Sequence, residues 1–395
     1  MQIEHSESLI MLYLIACALH EEKPDEDVLE GTDISQLFVL AERHSLSGIV
    51  YMALLETDAL LGTNPIVAKQ WKEKKEKAIR KSIMLDVERR QILAELEENH
   101  IWYMPLKGSV IKNLYPHEGM REMADNDILY DADFQNEVKN IFIRRGYREV
   151  FLTPQNHNTY QKRPLYNFEM HTSLFAHDES LEFADAFDDI SNKFIKDEDS
   201  LYGRHLRNED FYVYMTAHSF KHHDEAGTGV RSLVDYYVMN RNFAETMDWE
   251  YVSSQLSQIG LTQYELTCRN LSKHLFEHAD LVDKDKLPQD EQEMLMKCTA
   301  GGVYGSWGNR VSKGIMKNSA DGRSINGMAK IKYGLQRVFP GREWCRSYSP
   351  VCYKFPVFIP LMWIFRGIRA ILFKRGKIRS EFKATIRCNT ADSDK

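Results

Sequence analysis

The sequence predicts an α+β protein, in which a central segment of mixed strands and helices is flanked by helical regions on both sides. Three observations support this fold class. Residues 1–100 carry apolar side chains at helical spacing, residues 101–205 change to short apolar–polar alternations separated by turn residues, and helical spacing returns over 206–300. A last region, 301–395, combines a linker with a basic amphipathic segment. The length of 395 residues accommodates more than one domain.

Composition narrows the range of functions before any motif is considered. The formal net charge is −7, which argues against stable DNA binding, because general nucleic-acid binders present a basic surface. The six cysteines are scattered and form no Cys-x-x-Cys pair, so we expect reduced thiols. The chain begins with an acidic stretch and lacks the pattern of a secretory signal. These features predict a cytoplasmic protein.

The N-terminal region is predicted to be helical throughout. An apolar helix surrounds Leu9 to Leu19, a second helical run covers 33–61, and 71–98 forms a long amphipathic helix that leads into the first core strand. This region is interpreted either as a structural helical lobe or as an arm that grips substrate.

The central region alternates between strands and helices. Gly146 marks the end of one helix, and Asn156-His157-Asn158 is interpreted as a hairpin turn. The predicted strands are 101–106, 126–130, 147–152, 159–162, 166–171 and an edge strand at 191–196, and the predicted helices are 109–115 and 134–145.

The most informative stretch joins the first two of these strands. Gly108 and Ser109 form a turn at the start of a helix, where unpaired backbone N–H groups and the absence of a glycine side chain suit a phosphate. Asp125 and Asp127 follow at strand spacing and therefore share one face. Two carboxylates so close together favour a cation between them, and oxygen ligands suit Mg²⁺. The stretch predicts nucleotide chemistry.

At these residues the chain resembles nucleotidyltransferases of the DNA polymerase β-like fold. The order is Gly-Ser, then Asp-x-Asp in an apolar strand, then a later lone acid. The local sequence, with Leu-Lys-Gly-Ser, Leu-Tyr-Pro and Arg121 four residues before Asp125, is most similar to a bacterial group of uncharacterised nucleotidyltransferases. The resemblance covers 100–240 and implies a small mixed sheet with helices on one face. The interval from Ser109 to Asp125 is longer than is typical, although this branch tolerates it.

The resemblance also implies a third carboxylate on a neighbouring strand. The alternation over 167–171 places Glu169 and His171 on one face, so Glu169 is assigned to complete the metal site or to accept a proton. His171 is then a substrate contact beside it. Lys107 is expected near the triphosphate, and Arg121 is expected to steady the acidic loop or a phosphate.

A helical cluster after the central region has three interpretations. His218 and His222 lie four residues apart, as do Arg231 and Asp235. The histidine spacing admits a metal site, and the second spacing admits a helix ion pair worth a few tenths of a kcal/mol. The resemblance implies instead that all four residues close over the nucleotide.

The C-terminal region is predicted to begin with a loop over 300–326, which is rich in Gly, Ser and Asn. The apolar stretch 355–365 contains two prolines and is too short to span a bilayer. Basic residues then alternate with apolar ones from Arg366. Two interpretations follow: segment 355–383 makes a peripheral contact with the inner face of the membrane, or it forms a packed helix with solvated charges.

The combined prediction is a transferase that depends on Mg²⁺ (or Mn²⁺) and moves a nucleoside monophosphate from a nucleoside triphosphate, ATP first, to an acceptor hydroxyl, with release of pyrophosphate. Asp125, Asp127 and Glu169 hold the metal, and Gly108 and Ser109 bind phosphates. The acceptor, whether a small metabolite, a sugar, a protein or RNA, stays open. One alternative is a nucleotide-binding scaffold that docks to a membrane or to glycan-assembly enzymes. Another is a toxin-like enzyme that nucleotidylates tRNA or a partner protein.

Overall fold

The computed structural model describes residues 6–150, 156–176, 183–302, 307–319, 325–342, 344–345, 349–373, 381–382 and 384–386. These residues divide into two compact units. The first contains the described residues up to 302 except 222–227, and the second contains 222–227 together with the described residues from 307 onward. The predicted α+β class is confirmed, because a five-stranded mixed sheet lies between helical regions.

The N-terminal helices belong to the main core of the first unit. Helix α1 is apolar on all sides and is buried from Ile10 to Leu19, as expected of a central helix. Helix α5 begins with an Asn64 cap followed by proline and buries a single stripe of side chains. The helices are α1 (Glu7–His20), α2 (Glu26–Leu29), α3 (Ile34–His44), α4 (Ser47–Leu54) and α5 (Pro65–Glu98).

The sheet has the order β1-β2-β5-β4-β3. Strands β2 and β5 run parallel, and the other neighbouring strands are antiparallel. The sheet is therefore mixed, as the resemblance implies. Its strands are β1 (Tyr103–Leu106), β2 (Asn126–Tyr130), β3 (Arg148–Val150), β4 (His157–Lys162) and β5 (Tyr166–His171).

The two faces of the sheet bury different sets of residues because side chains alternate along each strand. One face buries Ile128 and Phe168 against residues of α5 and of α7 (Gln135–Arg144), and the Phe142 ring lies 5.5 Å from that of Phe168. The alternate positions on β2 and β5 carry Asp127 and Glu169. This second face also carries Leu129, which is buried in the main hydrophobic cluster, so its polar groups lie beside packed apolar residues.

The helices after the sheet pack with the N-terminal helices. Helices α1 and α11 are neighbours, and the buried residues of both belong to one hydrophobic cluster. At least α1 therefore has the structural role that was one of the two interpretations of the N-terminal region. The helices after the sheet are α8 (Asn208–Ala226), α9 (Val230–Phe243), α10 (Trp249–Gln258), α11 (Thr262–Phe276) and α12 (Gln289–Ala300), and the short α6 (Gly108–Ile111) lies between β1 and β2.

Two strand predictions need correction. The predicted turn at 156–158 is wrong: β4 already begins at His157, and the reversal occurs at residues 163–165, where the Arg163–Pro164 peptide is cis. The predicted edge strand at 191–196 is also wrong in its extent. Only Ile195–Lys196 (β6) is a strand, and it pairs with β7 (Arg204–His205) in a separate small sheet. Part of the strand expected at 147–152 lies outside the described residues.

The second unit contains α13 (Trp307–Met316), α14 (Gly327–Val338), α15 (Pro350–Lys354) and α16 (Ile359–Phe373). The loop predicted over 300–326 is therefore wrong at α13, where Val311 and Ile315 are buried with Ile325 in a small core. Within the described residues, no helix is long and apolar enough to cross a membrane. Lys374 and the basic residues after it up to Arg379 lie outside the described part of the chain.

Candidate active site

The corner between β1 and α6 is tightly built. Lys107 occupies a positive-φ conformation (φ 51°), and the Ser109 hydroxyl donates a hydrogen bond of 2.7 Å to the carbonyl oxygen of Leu106. A Cβ atom at Gly108 would lie 2.5 Å from Nη1 of Arg121. The structure thus gives Gly108 a packing role, because the space a side chain would need is filled by a guanidinium. Phosphate binding by Gly108 and Ser109 stays a prediction.

Three carboxylates meet beside this corner. Asp127 on β2 pairs directly with Glu169 on β5, and on its other side it pairs with Leu106, the last residue of β1. Asp125 lies immediately before β2. Strand register therefore brings together acids that are far apart in the sequence, on the face of the sheet that does not pack against α5 and α7.

Asp127 is the most strongly held of the three acids. Its Oδ1 atom accepts hydrogen bonds from Nζ of Lys107 at 2.7 Å and from Nε2 of His171 at 2.9 Å. Burial alone would raise the pKa of Asp127, but Lys107 and His171 hold it far below its usual range. Asp127 is therefore ionised.

The pKa values of Asp125 and Glu169 shift in the opposite direction from that of Asp127. Burial and the neighbouring Asp127 charge raise the pKa of Asp125 to about 6 and that of Glu169 to about 8, and Lys107 offsets only part of this rise. Buried carboxylates that repel one another are the signature of a site that can accept further positive charge.

Two histidines border Glu169. Nε2 of His157 lies 3.9 Å from Oε2 of Glu169, and Nε2 of His171 lies 3.8 Å from the same oxygen. Within the described residues, these three side chains form the cluster whose ligand atoms are close enough to hold a metal ion. Burial lowers the pKa of His171 to about 4, so its ring is neutral. His157 was missed because Asn156 and Asn158 made its segment resemble a turn.

Arg121 lies beside the corner in a second buried ion pair. Its Nε and Nη2 atoms donate to Oδ1 and Oδ2 of Asp235 at 2.8 and 2.9 Å, and the Tyr115 hydroxyl donates to Oδ1 at 2.8 Å. This pair joins the segment before Asp125 to helix α9. A nucleotide contact by Arg121 or Asp235 stays a prediction.

Further contacts fix the loop that carries Asp125. Nζ of Lys81 donates to the Ala124 carbonyl at 3.0 Å, and Nη1 of Arg89 donates to the side chain of Asn126 at 2.9 Å. Nη1 of Arg231 donates to a carbonyl of the same loop at 3.4 Å. Helix α5 therefore positions the acidic loop, a role that its sequence alone did not indicate.

The two histidines of α8 differ in their surroundings. His218 is half-buried and its ring lies 6.1 Å from that of Tyr214, whereas His222 is exposed. Tyr214 is fully buried, and burial raises the pKa of its hydroxyl, with smaller contributions from the charges of Lys107, Asp127 and Glu169. The sequence pattern predicts Tyr214 only as a core residue of the helix, because a tyrosine at helical spacing gives no sign of nearby charges.

A mixed sheet that presents clustered carboxylates beside a glycine–serine corner agrees with what the resemblance to nucleotidyltransferases implies. The family described as uncharacterised nucleotidyltransferase matches residues 30–277, and the chain belongs to this family. The predicted resemblance is confirmed, and the match extends beyond 100–240 to include α3–α5 and helices α10 and α11. No curated protein and no solved structure matches the chain at a significant level. Membership supports a transferase with a general role in nucleotidyl transfer.

Proposed function

We propose that the protein transfers a nucleoside monophosphate from a nucleoside triphosphate to an acceptor hydroxyl and releases pyrophosphate. The observation that carries this proposal is the pairing of Asp127 with Glu169, with Asp125 two residues before Asp127. The acceptor oxygen forms a bond to the α-phosphorus while the bond from that phosphorus to the β-bridging oxygen breaks. Pyrophosphate leaves with the electron pair of the broken bond.

The acid cluster is proposed to hold the divalent cation that the family implies. Asp125 and Glu169 have raised pKa values because they face Asp127 in a buried site, and oxygen donors of this kind suit Mg²⁺ or Mn²⁺. Asp125, Asp127 and Glu169 would hold the ion. When bound, it neutralises charge on the oxygens of the reacting phosphates.

The residues of the chain supply binding and proton transfer. Lys107 provides an ammonium group at the corner, and Gly108 and Ser109 begin α6, where backbone N–H groups lack intrahelical partners. Glu169 lies directly opposite Asp127 across β2 and β5, and we propose that it completes the metal site or, once a bound cation has displaced its proton, accepts the proton of the acceptor hydroxyl. His171 lies next to Glu169 and is proposed as a substrate contact.

Several finer assignments belong to the same proposal. ATP is the first choice of donor, and Arg121, His218, His222, Arg231 and Asp235 are proposed to act around the nucleotide. A cytoplasmic location is consistent with the five cysteines of the described residues, which are all free and buried. The acceptor class is left to experiment.

The proposal is tested by incubating the purified protein with each α-labelled nucleoside triphosphate, Mg²⁺ and a cell extract. Label transfer and pyrophosphate release are measured together. Asp127→Asn should lower both by at least about a hundredfold, because charge stabilisation at the reacting phosphate is lost. Asp133→Asn is the matched control, since Asp133 is an exposed acid a few residues further along.

The fate of the label separates the remaining possibilities. Label in a small molecule identifies a metabolite or sugar acceptor, and label in RNA or protein identifies the toxin-like activity. Nucleotide binding without pyrophosphate release under any of these conditions would overturn the transferase proposal and favour the scaffold. Equal activity of Asp127→Asn and the wild type would remove the assigned site.

A further inference from the structure

The ring of His157 is held in one tautomer by its neighbour in the sequence. The Asn156 side-chain amide donates to the carbonyl oxygen of Ser173 at 3.0 Å, so its oxygen is left as an acceptor. That oxygen lies 3.1 Å from Nδ1 of His157, which must therefore carry the proton. Nε2 of His157 consequently presents a lone pair. Metal-binding histidines are commonly oriented by a hydrogen bond from the opposite ring nitrogen in this way.

The lone pair of His157 faces another acceptor. Nε2 of His157 and Oε2 of Glu169 are 3.9 Å apart. On the other side of Glu169, His171 donates from Nε2 to Asp127, so the lone pair of its ring lies on Nδ1, which is buried and has no hydrogen-bond partner among the described residues. Two acceptors that face one another in a buried site interact well only when a proton or a metal cation lies between them, and a bound dication would replace the proton of Glu169.

We propose that His157, His171 and Glu169 form a mixed nitrogen–oxygen position that selects a first-row transition-metal dication over Mg²⁺. The inference rests on the proposed function for the role of Glu169, assigns His171 to the metal in place of a substrate contact, and adds the identity of the ion. Their ligand atoms lie within 4.8 Å of one another. Imidazole nitrogen favours transition metals, whereas Mg²⁺ prefers oxygen ligands and water. Mn²⁺ is the probe of choice, because it accepts both ligand types.

The test measures binding of Mn²⁺ and Mg²⁺ to the full chain without nucleotide, by calorimetry and by pulsed electron paramagnetic resonance. The wild type should bind Mn²⁺ more tightly and show coupling of Mn²⁺ to nitrogen. His157→Gln should weaken Mn²⁺ binding by about tenfold or more, leave Mg²⁺ binding nearly unchanged and reduce the nitrogen signal. His278→Gln, which changes an exposed histidine, should behave as wild type.

A further variant examines the orienting hydrogen bond. Asn156→Ala should weaken Mn²⁺ binding less than His157→Gln does, because the ligand remains while its orientation is lost. Loss of Mn²⁺ and Mg²⁺ affinity by the same factor in His157→Gln, or the absence of nitrogen coupling, would overturn the inference. Nucleotidyl transfer is assayed in parallel. Transfer without His157-dependent Mn²⁺ selectivity refutes this inference alone, and selectivity without transfer refutes the proposed function alone.

A second inference concerns α16 in the second unit, whose apolar side chains face outward. The inward side carries polar contacts: Nε1 of Trp363 donates to the Pro340 carbonyl at 3.0 Å, and the Arg366 guanidinium lies 4.1 Å from the centre of the Trp344 ring. The side chains that are more than half exposed are Leu361, Ile364, Phe365 and Ile368. A surface helix normally has the reverse arrangement.

The charge around this helix indicates what covers the apolar face. Residues 349–386 contain eight Lys and Arg residues and one acidic residue, although the whole chain has a net charge of −7. Lys354 and Arg369 are exposed close to the apolar row in the sequence. An apolar helix face accompanied by basic side chains matches the interface of an anionic bilayer.

We infer that the apolar face of α16 docks onto an anionic membrane surface. The full chain should sediment with vesicles of phosphatidylcholine and phosphatidylglycerol, and less with phosphatidylcholine alone or at high salt. The double variant Ile364→Ser, Phe365→Ser should lose most of this binding. Leu61→Ser, which changes an exposed leucine of the first unit, should retain it.

Each result decides the membrane inference. Retained binding in the double variant, or no binding of wild-type protein to either vesicle, would overturn it. Equal binding to both vesicle types would show that the anionic lipid makes no contribution, and would overturn the inference that α16 docks onto an anionic membrane. The double variant alters exposed positions, and its unchanged unfolding transition is the control for folding.

Discussion

The two buried ion pairs beside the β1–α6 corner contain the same kinds of charge but differ in how completely each carboxylate is satisfied. Asp235 receives two parallel hydrogen bonds from Arg121 and a third from Tyr115. Asp127 receives its hydrogen bonds from Lys107 and His171 on one oxygen, and it lies beside two further acids. In the Arg121 pair, both carboxylate oxygens of Asp235 accept hydrogen bonds. In the Lys107 pair, the hydrogen bonds from Lys107 and His171 both reach the same oxygen of Asp127.

We expect this difference to make the Arg121 pair mainly structural and the Lys107 pair mainly chemical, whether or not Arg121 also lies near the nucleotide. A planar guanidinium matches a carboxylate with fixed geometry, and breaking such a buried pair leaves an uncompensated charge. A lysine ammonium is a point charge on a flexible stem, so it can move when a substrate phosphate or a cation arrives. We therefore expect substitutions in the Arg121 pair to affect folding first and substitutions in the Lys107 pair to affect activity first.

The strongest contrast is between Asp235→Asn and Asp127→Asn. Asp235→Asn should lower the free energy of unfolding by about 3–5 kcal/mol, because the Arg121 charge is left buried without its partner. Asp127→Asn should change it by less than about 1 kcal/mol, since the lost Lys107 contact is offset by the removal of the repulsion that Asp127 exerts on Asp125 and Glu169. Urea unfolding followed by tryptophan fluorescence measures both. Equal destabilisation would show that the two pairs do not differ in role.

The second prediction concerns pH and the metal-free protein. The folded-state pKa of Glu169 is about 8, above its unfolded value, so the folded state binds this proton more tightly. The contribution of Glu169 to stability therefore falls as pH rises from about 4.3 to about 8. Between the ends of this range, wild type should lose roughly 2–4 kcal/mol relative to Glu169→Gln. Parallel pH profiles of the two proteins would contradict the raised pKa.

Gly108→Ala tests how tightly the two pairs are connected. The new Cβ would lie 2.5 Å from Nη1 of Arg121, so the guanidinium must shift and its bonds to Asp235 weaken. We expect a loss of about 1–3 kcal/mol in the free energy of unfolding. Gly62→Ala is the control, because no heavy atom of the described residues lies within 4 Å of the point that its Cβ would occupy. Equal unfolding curves for the two variants would show that the corner tolerates a side chain.

The smallest expected effect separates backbone strain from charge at Lys107. Its φ of 51° is unfavourable for any residue with a side chain and natural for glycine. Lys107→Gly should be more stable than Lys107→Ala by about 1 kcal/mol, while both variants lose nucleotidyl transfer to a similar degree. Thermal unfolding and the label assay measure the two properties. A more stable alanine variant would indicate that the corner is not strained.

The sequence predicted the part of the site that depends on local pattern. Strands β2 and β5 have clear alternation, so the faces of Asp127 and Glu169 followed from period two alone. His157 did not follow, because asparagines on both sides of it favour a turn by propensity, and pairing with β5 overrides that preference. Helix α13 was missed for a similar reason, since its flanking Gly, Ser and Asn residues hid a short apolar stripe.

Contacts between distant segments were beyond sequence analysis. Arg121 and Asp235 are 114 residues apart, and nothing in either local pattern identifies the other as its partner. The hydrogen bonds from Lys81 and Arg89 to the acidic loop depend in the same way on how α5 packs across the sheet. Their side chains are typical of an exposed helix face, so only the folded arrangement reveals that they position the loop.

The strand order also determines at which stage of synthesis and folding all the acids of the proposed centre are brought together. Strand β5 lies between β2 and β4, so the edge of β2 that carries Asp127 stays open until the later β4–β5 hairpin has been synthesised and inserted. Parallel pairing across such a long connection forms late relative to local hairpins. A nascent or truncated chain that ends before β5 lacks Glu169 and therefore lacks one acid of the proposed centre, so the proposed function predicts that transfer begins only once the sheet has closed.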